Sequence, residues 1–217
     1  MPDFLKLRQR MVREQIAARG IKNPAVVRAM ETVPREEFVP EDSREFAYWD
    51  GPLPIGEEQT ISQPYIVALM TDLLELGPND RVLEIGTGSG YSAAVLSCIA
   101  AEVYTVERHE SLAAEARARF RRLHYENIHV SHGNGTLGWP EHAPYDAIVV
   151  TAGGPEVPRP LRDQLAVGGR LVIPVGPGRQ VQDLVLLRRE DENHYRRENL
   201  GGVRFVPLIG EAGWRGS

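Results

Sequence analysis

A chain of 217 residues that is 42% hydrophobic and 25% charged has room for one domain with a real hydrophobic core and is too short for a second full one. Its net charge of −5 supplies no overall attraction to nucleic acid or to an anionic membrane. The single cysteine, Cys98, excludes an internal disulfide and fits a reducing cytoplasm.

The opening MPDFLKLRQRMVREQ carries charge every few residues, so it lacks the apolar run of a secretory signal; no later stretch approaches the roughly 18 apolar residues of a membrane span. From Phe4 to Arg19 the apolar positions Phe4, Leu5, Leu7, Met11, Val12 and Ile16 form a helical stripe closed by Gly20, which predicts a surface-lying helix. Asn23 and Pro24 are a cap and first-turn pair that starts a second helix through Val26, Val27, Met30 and Val33. VPREEFVP follows, and these elements are expected to form an N-terminal extension that roofs a site. Residues 49–64, WDGPLPIGEEQTISQP, show no sustained period and read as an ordered loop; such a length inside a compact domain is usually functional. Pro64 opens a helix through Ile66, Val67, Leu69, Met70, Leu73 and Leu74 to the stop at Gly77-Pro78, so Thr60 and Ser62 stand at a helix entrance.

VLEIGTGSGY, Val82 to Tyr91, predicts a buried strand ending in a turn at Gly86, Gly88 and Gly90, then a helix from Ser92 to Ile99 in which Cys98 reads as packing rather than as a nucleophile. This places backbone N–H groups at the carboxyl end of a strand, where open α/β sheets bind ligands. A second strand, Val103 to Val106, ends in Glu107. Ser111 is expected to cap a helix through Leu123 whose arginines at 117, 119, 121 and 122 form a solvated face. Strands at Ile128–Ser131 and Ala147–Val150, a helix start between Pro158 and Pro160, and the turn and strand of LAVGGRLVIPVG continue the alternation. LVLLRRE, HYRRENL and VRFVPLIG then read as strands without helices between them, an antiparallel edge. The fold class is α/β: a mostly parallel, doubly wound, Rossmann-like sheet in one domain. Residues 1–78 would supply the N-terminal helices and substrate loop, 79–175 the cofactor-binding core and 176–217 the terminal strands.

The glycine spacing separates cofactors. Dinucleotide turns read G-x-G-x-x-G, whereas this one is G-x-G-x-G, a poor fit to nicotinamide or flavin. With Glu84 at the strand's end, Gly86 and Gly88 resemble the first motif of S-adenosylmethionine-dependent methyltransferases. Glu107, nineteen positions after Gly88, stands where an acid meets the two ribose hydroxyls. Taken with GEEQTISQPYIVALM, APYDAIVVTAG, GGRLVIPVG and VRFVPL, the chain resembles protein-L-isoaspartate (D-aspartate) O-methyltransferases over nearly its whole length, with QTIS-x-P at Gln59 to Pro64 the most specific match.

The resemblance implies transfer of a methyl group from S-adenosyl-L-methionine, leaving S-adenosyl-L-homocysteine, to the free α-carboxylate of L-isoaspartyl residues in damaged proteins. The ester then closes to a succinimide that reopens partly to aspartate. It implies Glu84, Gly86, Gly88 and Gly90 around the methionine portion, Glu107 at the ribose, and Asn134 and Gly135 at the adenine. Gln59, Thr60, Ser62, Val206, Pro207 and Leu208 would meet the peptide, with Thr60 and Ser62 orienting the reacting carboxylate. A carboxylate of ordinary pKa is already ionised at neutral pH, so it needs alignment rather than a general base. The bland alternatives are Ser62 as a plain helix cap and residues 206–208 as an ordinary edge strand blunted by Pro207. Three positions depart from the family: Asn134 where an aspartate is expected, Glu58 where glycine is usual, so that the loop takes another path if the glycine's backbone freedom matters, and Tyr65 where histidine is common. No metal, nucleic acid or membrane partner is expected, and the chain is expected to be a monomer. The rival readings are a methyltransferase of a small molecule and a cofactor-binding protein without catalysis.

Overall fold

A computed structural model describes residues 2–177 and 180–215. The first stripe begins as helix α1 (Phe4–Met11), with the Asp3 carboxylate accepting from the Lys6 N–H. It runs on through a π turn at Val12–Ile16 and a 3-10 turn at Ala17–Arg19 instead of remaining α-helical throughout. The stop is as expected, Gly20 at φ 99°. Helix α2 (Pro24–Thr32) starts where its signals place it, Asn23 Oδ1 accepting from the Ala25 N–H at 3.0 Å.

The proline-rich stretch is not a plain loop. It contains a hairpin of β1 (Leu53–Gly56) and β2 (Gln59–Ile61), with Leu53 opposite Ile61 and Pro54 opposite Thr60. The alternation that builds β1 lasts only four residues, too few for a period to stand out among the prolines. The turning residues are Glu57 and Glu58, both at positive φ (50° and 55°), the conformation that two-residue hairpins require and that glycine or asparagine normally supplies. Glu58 thus stands in the left-handed region that a glycine there would enter without strain. Helix α3 (Pro64–Leu73) follows, with Gln63 at its N-cap and no side-chain cap bond, so Ser62 is not the helix cap.

Seven strands form the main sheet: β3 (Arg81–Ile85), β4 (Glu102–Glu107), β5 (Ile128–His132), β6 (Tyr145–Val150), β7 (Leu165–Val175), β8 (Gln182–Arg189) and β9 (Tyr195–Val203). Their order is β5-β4-β3-β6-β7-β8-β9, parallel through β7 and antiparallel at β8 and β9. The order reverses beside β3, which puts a crevice at the carboxyl ends of β3 and β6. The linking helices are α4 (Tyr91–Ser97), α5 (Glu110–Arg122) and α6 (Arg159–Asp163).

Side chains alternate across the sheet. Val82, Val103, Ala147, Val149 and Val172 join one core with buried residues of α2, α3, α4 and α5, whereas Leu83, Ile85, Ile148, Val150 and Ile173 join another with Leu161 of α6 and Leu208. Both faces are covered, although the second has mostly short helices and the C-terminal segment.

Several local expectations are corrected. The N-cap of α5 is His109, whose N–H donates to Glu107 Oε1 at 2.9 Å; Ser111 lies inside the first turn and donates to Glu57 Oε1 at 2.7 Å. Cys98 is an exposed C-cap residue of α4 rather than a packing element. LAVGGRLVIPVG forms one strand that bulges at residues 166–169, since Leu165 pairs with Tyr145 and Arg170 with Ala147. VRFVPLIG is not a strand: after Val203 it crosses the sheet's carboxyl edge and makes two isolated parallel bridges, Gly153 to Pro207 and Ile209 to Trp214. Pro207 lacks the N–H that would extend the ladder. Among the described residues no helix is long and apolar enough to cross a membrane.

Candidate active site

The glycine turn after β3 is held in left-handed backbone at three positions, Gly86, Gly88 and Gly90 (φ 96°, 51° and 90°). Two of them face a cleft of about 820 Å³ at the crevice, and the third does not. Gly90 is the N-cap of α4, and a Cβ there would lie 2.5 Å from Phe120 Cζ, so its smallness serves the packing of α5.

Glu107 binds this turn from the end of β4. Its Oε2 accepts from the Gly88 N–H at 2.8 Å and its Oε1 from the His109 N–H at 2.9 Å, while the carboxylate still forms part of the cleft wall. Glu84 lies beneath, completely buried. Its Oε2 accepts from Thr105 Oγ1 at 2.7 Å, Thr105 meets Thr87 Oγ1 at 2.7 Å, and Oε1 makes no geometrically complete hydrogen bond. Burial pushes the Glu84 carboxyl up to about 7, the Ser92 and Thr105 hydroxyls draw it back, and the charge of Glu107 adds to the rise.

A carboxyl raised from an ordinary 4.5 to about 7 keeps its proton in the folded chain after losing it in the unfolded one. The stability it confers is full below about pH 4.5 and is lost as pH rises through about 7. Glu84→Gln imitates the protonated form. Its stability advantage over the parent is expected to grow by about 3 kcal/mol between pH 4.5 and 8. Urea melts of both proteins at the two ends of that range check it, and an unchanging difference would contradict it.

From the hairpin, Gln59 and Thr60 reach the cleft, and Ile55 Cδ1 lies 3.2 Å from where a Cβ of Gly88 would stand, so the hairpin lies over the glycine turn. Ser62 is half-buried and not itself a wall residue. Ile61 between them, the last residue of β2, is buried, whereas Thr60 is exposed. The C-terminal segment supplies Val206, Pro207 and Leu208, tied down by the Val206 carbonyl accepting from the Gly153 N–H (2.8 Å) and the Leu208 N–H donating to the Gly153 carbonyl (2.9 Å). Gly135 faces the cleft and Asn134 does not. Asn134 Oδ1 accepts from the Thr136 N–H (3.1 Å) and hydroxyl (2.7 Å), capping its own short turn, which leaves the Nδ2 amide as its donor group.

The sequence reading missed several walls: Thr151 and Ala152 after β6, Arg108 and His109 after β4, and Arg204 at the rim. The first four are the residues that directly follow two parallel strands, and the crevice rule for open sheets was signal enough to find them. Glu57 at the hairpin tip was a further miss; it reaches Ser111 at 2.7 Å and lies 3.7 Å from His109 Nδ1, joining the hairpin to the start of α5.

The model of the protein-L-isoaspartate(D-aspartate) O-methyltransferase family matches residues 6–213. The chain belongs to that family. It is 63% identical over 207 residues to protein-L-isoaspartate O-methyltransferase 2 of Pelobacter propionicus, covering 95% of this chain and 92% of the relative. A solved protein-L-isoaspartate O-methyltransferase superposes with a TM-score of 0.87 at 32% identity, covering 95% of this chain and 67% of that one. A solved Plasmodium falciparum protein, described as a putative member in complex with S-adenosyl-L-homocysteine, gives 0.79 at 26% identity, covering 96% and 99%. The isoaspartate methyltransferase family thus accounts for both the parallel sheet and its antiparallel edge.

The residues present fit the family's donor. A cradle exists that side chains would fill, since a Cβ at Gly86 would meet Thr151 Oγ1 at 2.4 Å and one at Gly135 would meet Ile85 Cγ2 at 2.5 Å. Of the two acids, Glu107 in the wall suits a ligand that bears a ribose diol and positive charge, while Glu84, buried beneath and outside the cleft lining, supports the turn from below.

Proposed function

We propose that this chain methylates the free α-carboxylate of L-isoaspartyl residues in damaged proteins, the step that starts their repair through a succinimide. The observation that carries the reading is one shared cleft. Its lining includes the glycine turn and Glu107 together with the hairpin residues Gln59 and Thr60 and the segment Val206, Pro207 and Leu208. A donor site and a peptide site therefore open into the same 820 Å³ space.

When bound, S-adenosyl-L-methionine supplies a methyl group on a positively charged sulfur. Glu107 and the backbone of Gly86 and Gly88 hold that donor, with Gly135 beside the adenine; Asn134, which lies outside the cleft and caps its own turn, serves there by shaping the backbone of Gly135. Thr60, in the cleft wall, donates a hydrogen bond that orients the acceptor oxygen in line, and Ser62, just outside that wall, is assigned the second. Neutral hydroxyls do this without the loss of nucleophilicity that a cation beside the carboxylate would cause. Alignment of two reactants supplies roughly 7–11 kcal/mol, whereas proton removal adds nothing to an oxygen already ionised. The Val206-Pro207-Leu208 backbone and the hairpin contact the peptide with little demand on its side chains, which suits an enzyme that meets many damaged sequences.

The test is methyl transfer from labelled donor to an isoaspartyl peptide and to its aspartyl twin. Label on the first alone is expected; label on neither, with a metabolite methylated instead, would assign the cleft to a small molecule, and donor binding without turnover would make the chain a binder. Within this reading, Ser62→Ala is expected to lower turnover about tenfold, the value of one orienting hydrogen bond, and to leave S-adenosyl-L-homocysteine affinity within about twofold. Equal losses in both would place Ser62 with the donor instead.

A further inference from the structure

Arg35 is completely buried, a place where a charged side chain ordinarily has a carboxylate partner. Among its described contacts there is none. The neighbouring Glu36 is taken by the Tyr48 hydroxyl. Arg35 instead donates from Nε to the Ala47 carbonyl at 2.7 Å and from Nη2 to the Ser62 carbonyl at 2.8 Å, and its guanidinium lies 4.7 Å from the centre of the Tyr91 ring. Burial draws it down to about 10, so it is charged at neutral pH.

The three groups belong to three different parts of the chain. Ala47 closes the N-terminal extension, Ser62 ends the hairpin segment, and Tyr91 is the first residue of α4, directly after the glycine turn. One rigid fork therefore ties the backbone of the proposed substrate-orienting residue to the helix that carries the donor turn. A lysine point charge satisfies one carbonyl well, whereas the planar guanidinium spans both at fixed angles. Gln63, the next residue, is held separately, its Nε2 donating to Asp50 Oδ1 at 2.7 Å and its carbonyl accepting from the Val67 N–H at 3.1 Å, so among the described hydrogen bonds the Ser62 carbonyl itself is held by Arg35.

We propose that Arg35 is a positioning residue for methyl transfer: by holding the Ser62 carbonyl from a guanidinium that is itself fixed by the Ala47 carbonyl and the Tyr91 ring, it sets the location of the Ser62 hydroxyl relative to the donor turn. This rests on the reading of Ser62 above. It gives the N-terminal extension a catalytic role through the backbone, 27 residues away in sequence.

The test compares Arg35→Lys and Arg35→Met with Tyr48→Phe, which removes the buried Tyr48–Glu36 bond in the same region and leaves Ser62 alone. Turnover on an isoaspartyl peptide is expected to fall at least tenfold in Arg35→Met and less in Arg35→Lys, with S-adenosyl-L-homocysteine affinity changed by less than about threefold; misplacing a reacting pair by an ångström suffices for such losses. Tyr48→Phe is expected to keep parental turnover below its melting temperature. If Arg35→Met does not fold, Arg35→Lys carries the test. In a double-mutant cycle with Ser62→Ala, the Arg35→Lys effect is expected to shrink towards none, because its route has been removed. Parental turnover in Arg35→Lys, equal turnover losses in Tyr48→Phe, or full additivity with an effective Ser62→Ala would each overturn the assignment alone. A Ser62→Ala variant with parental kinetics would overturn the reading of Ser62 and the clamp together.

Discussion

Glu107→Ala is expected to weaken S-adenosyl-L-homocysteine binding by at least about 100-fold and to cost about 3 kcal/mol of stability, because one carboxylate performs two tasks. It accepts from the Gly88 N–H at 2.8 Å and the His109 N–H at 2.9 Å, which fixes the glycine turn against the start of α5, and it is a wall of the cleft. Hydrogen bonds to a charged group contribute roughly 1.5–3 kcal/mol each, and losing two leaves two backbone donors in a site only 5% exposed. Glu107→Gln keeps one good acceptor, so its affinity is expected to fall between those of the parent and the alanine variant. Titration calorimetry and a urea melt measure the two effects separately. Affinity within twofold of the parent in Glu107→Ala would remove this residue from donor binding.

Gly86→Ala is expected to disrupt the same turn from below, with a stability loss of about 3 kcal/mol and donor binding reduced beyond detection at micromolar ligand. Two separable causes act. The residue stands at φ 96°, where an L side chain is strained by roughly 1–2 kcal/mol, and the new Cβ would lie 2.4 Å from Thr151 Oγ1. Thr151 cannot easily give way, since that hydroxyl is bonded to the Ile85 carbonyl at 3.0 Å and the Gly86 carbonyl at 2.8 Å. Adding Thr151→Ala removes the collision but not the strain. The double variant is therefore expected to regain about half of the lost stability, and a double variant no better than Gly86→Ala would show that the collision is not what matters.

Both predictions concern residues that were legible in the chain, and the way they were legible is informative. A β-branched run followed by G-x-G-x-G, with an acid at the end of the following strand, reports local backbone geometry together with one neighbour in the sheet. Parallel pairing of β3 with β4 then brings Glu107 to Gly88 with no further information. The alternation of strand and helix that defines the sheet was readable for the same reason: burial on both faces requires continuous apolar runs, and helices require their caps. Where a signal was short or depended on a distant group, reading failed. The four-residue strand Leu53–Gly56 was hidden by Pro54 and its flanking proline, the α5 start is set by a contact from the preceding strand in which Glu107 accepts from the His109 N–H, and residues 204–209 left the β8–β9 ladder to pair with Gly153.

By itself, then, the sequence determined the parallel core, the glycine turn with its acid, and, through QTIS-x-P, the family, because each is written in residues within a turn or one strand–helix–strand unit of one another. Tertiary structure alone decided that Glu57 and Glu58 turn a hairpin over Gly88, that Thr151 sits against Gly86, and that a buried arginine grips the Ser62 carbonyl. These contacts join positions 27 to 65 residues apart, and such pairings leave no periodicity in the chain: they come into being only when the sheet brings their partners together.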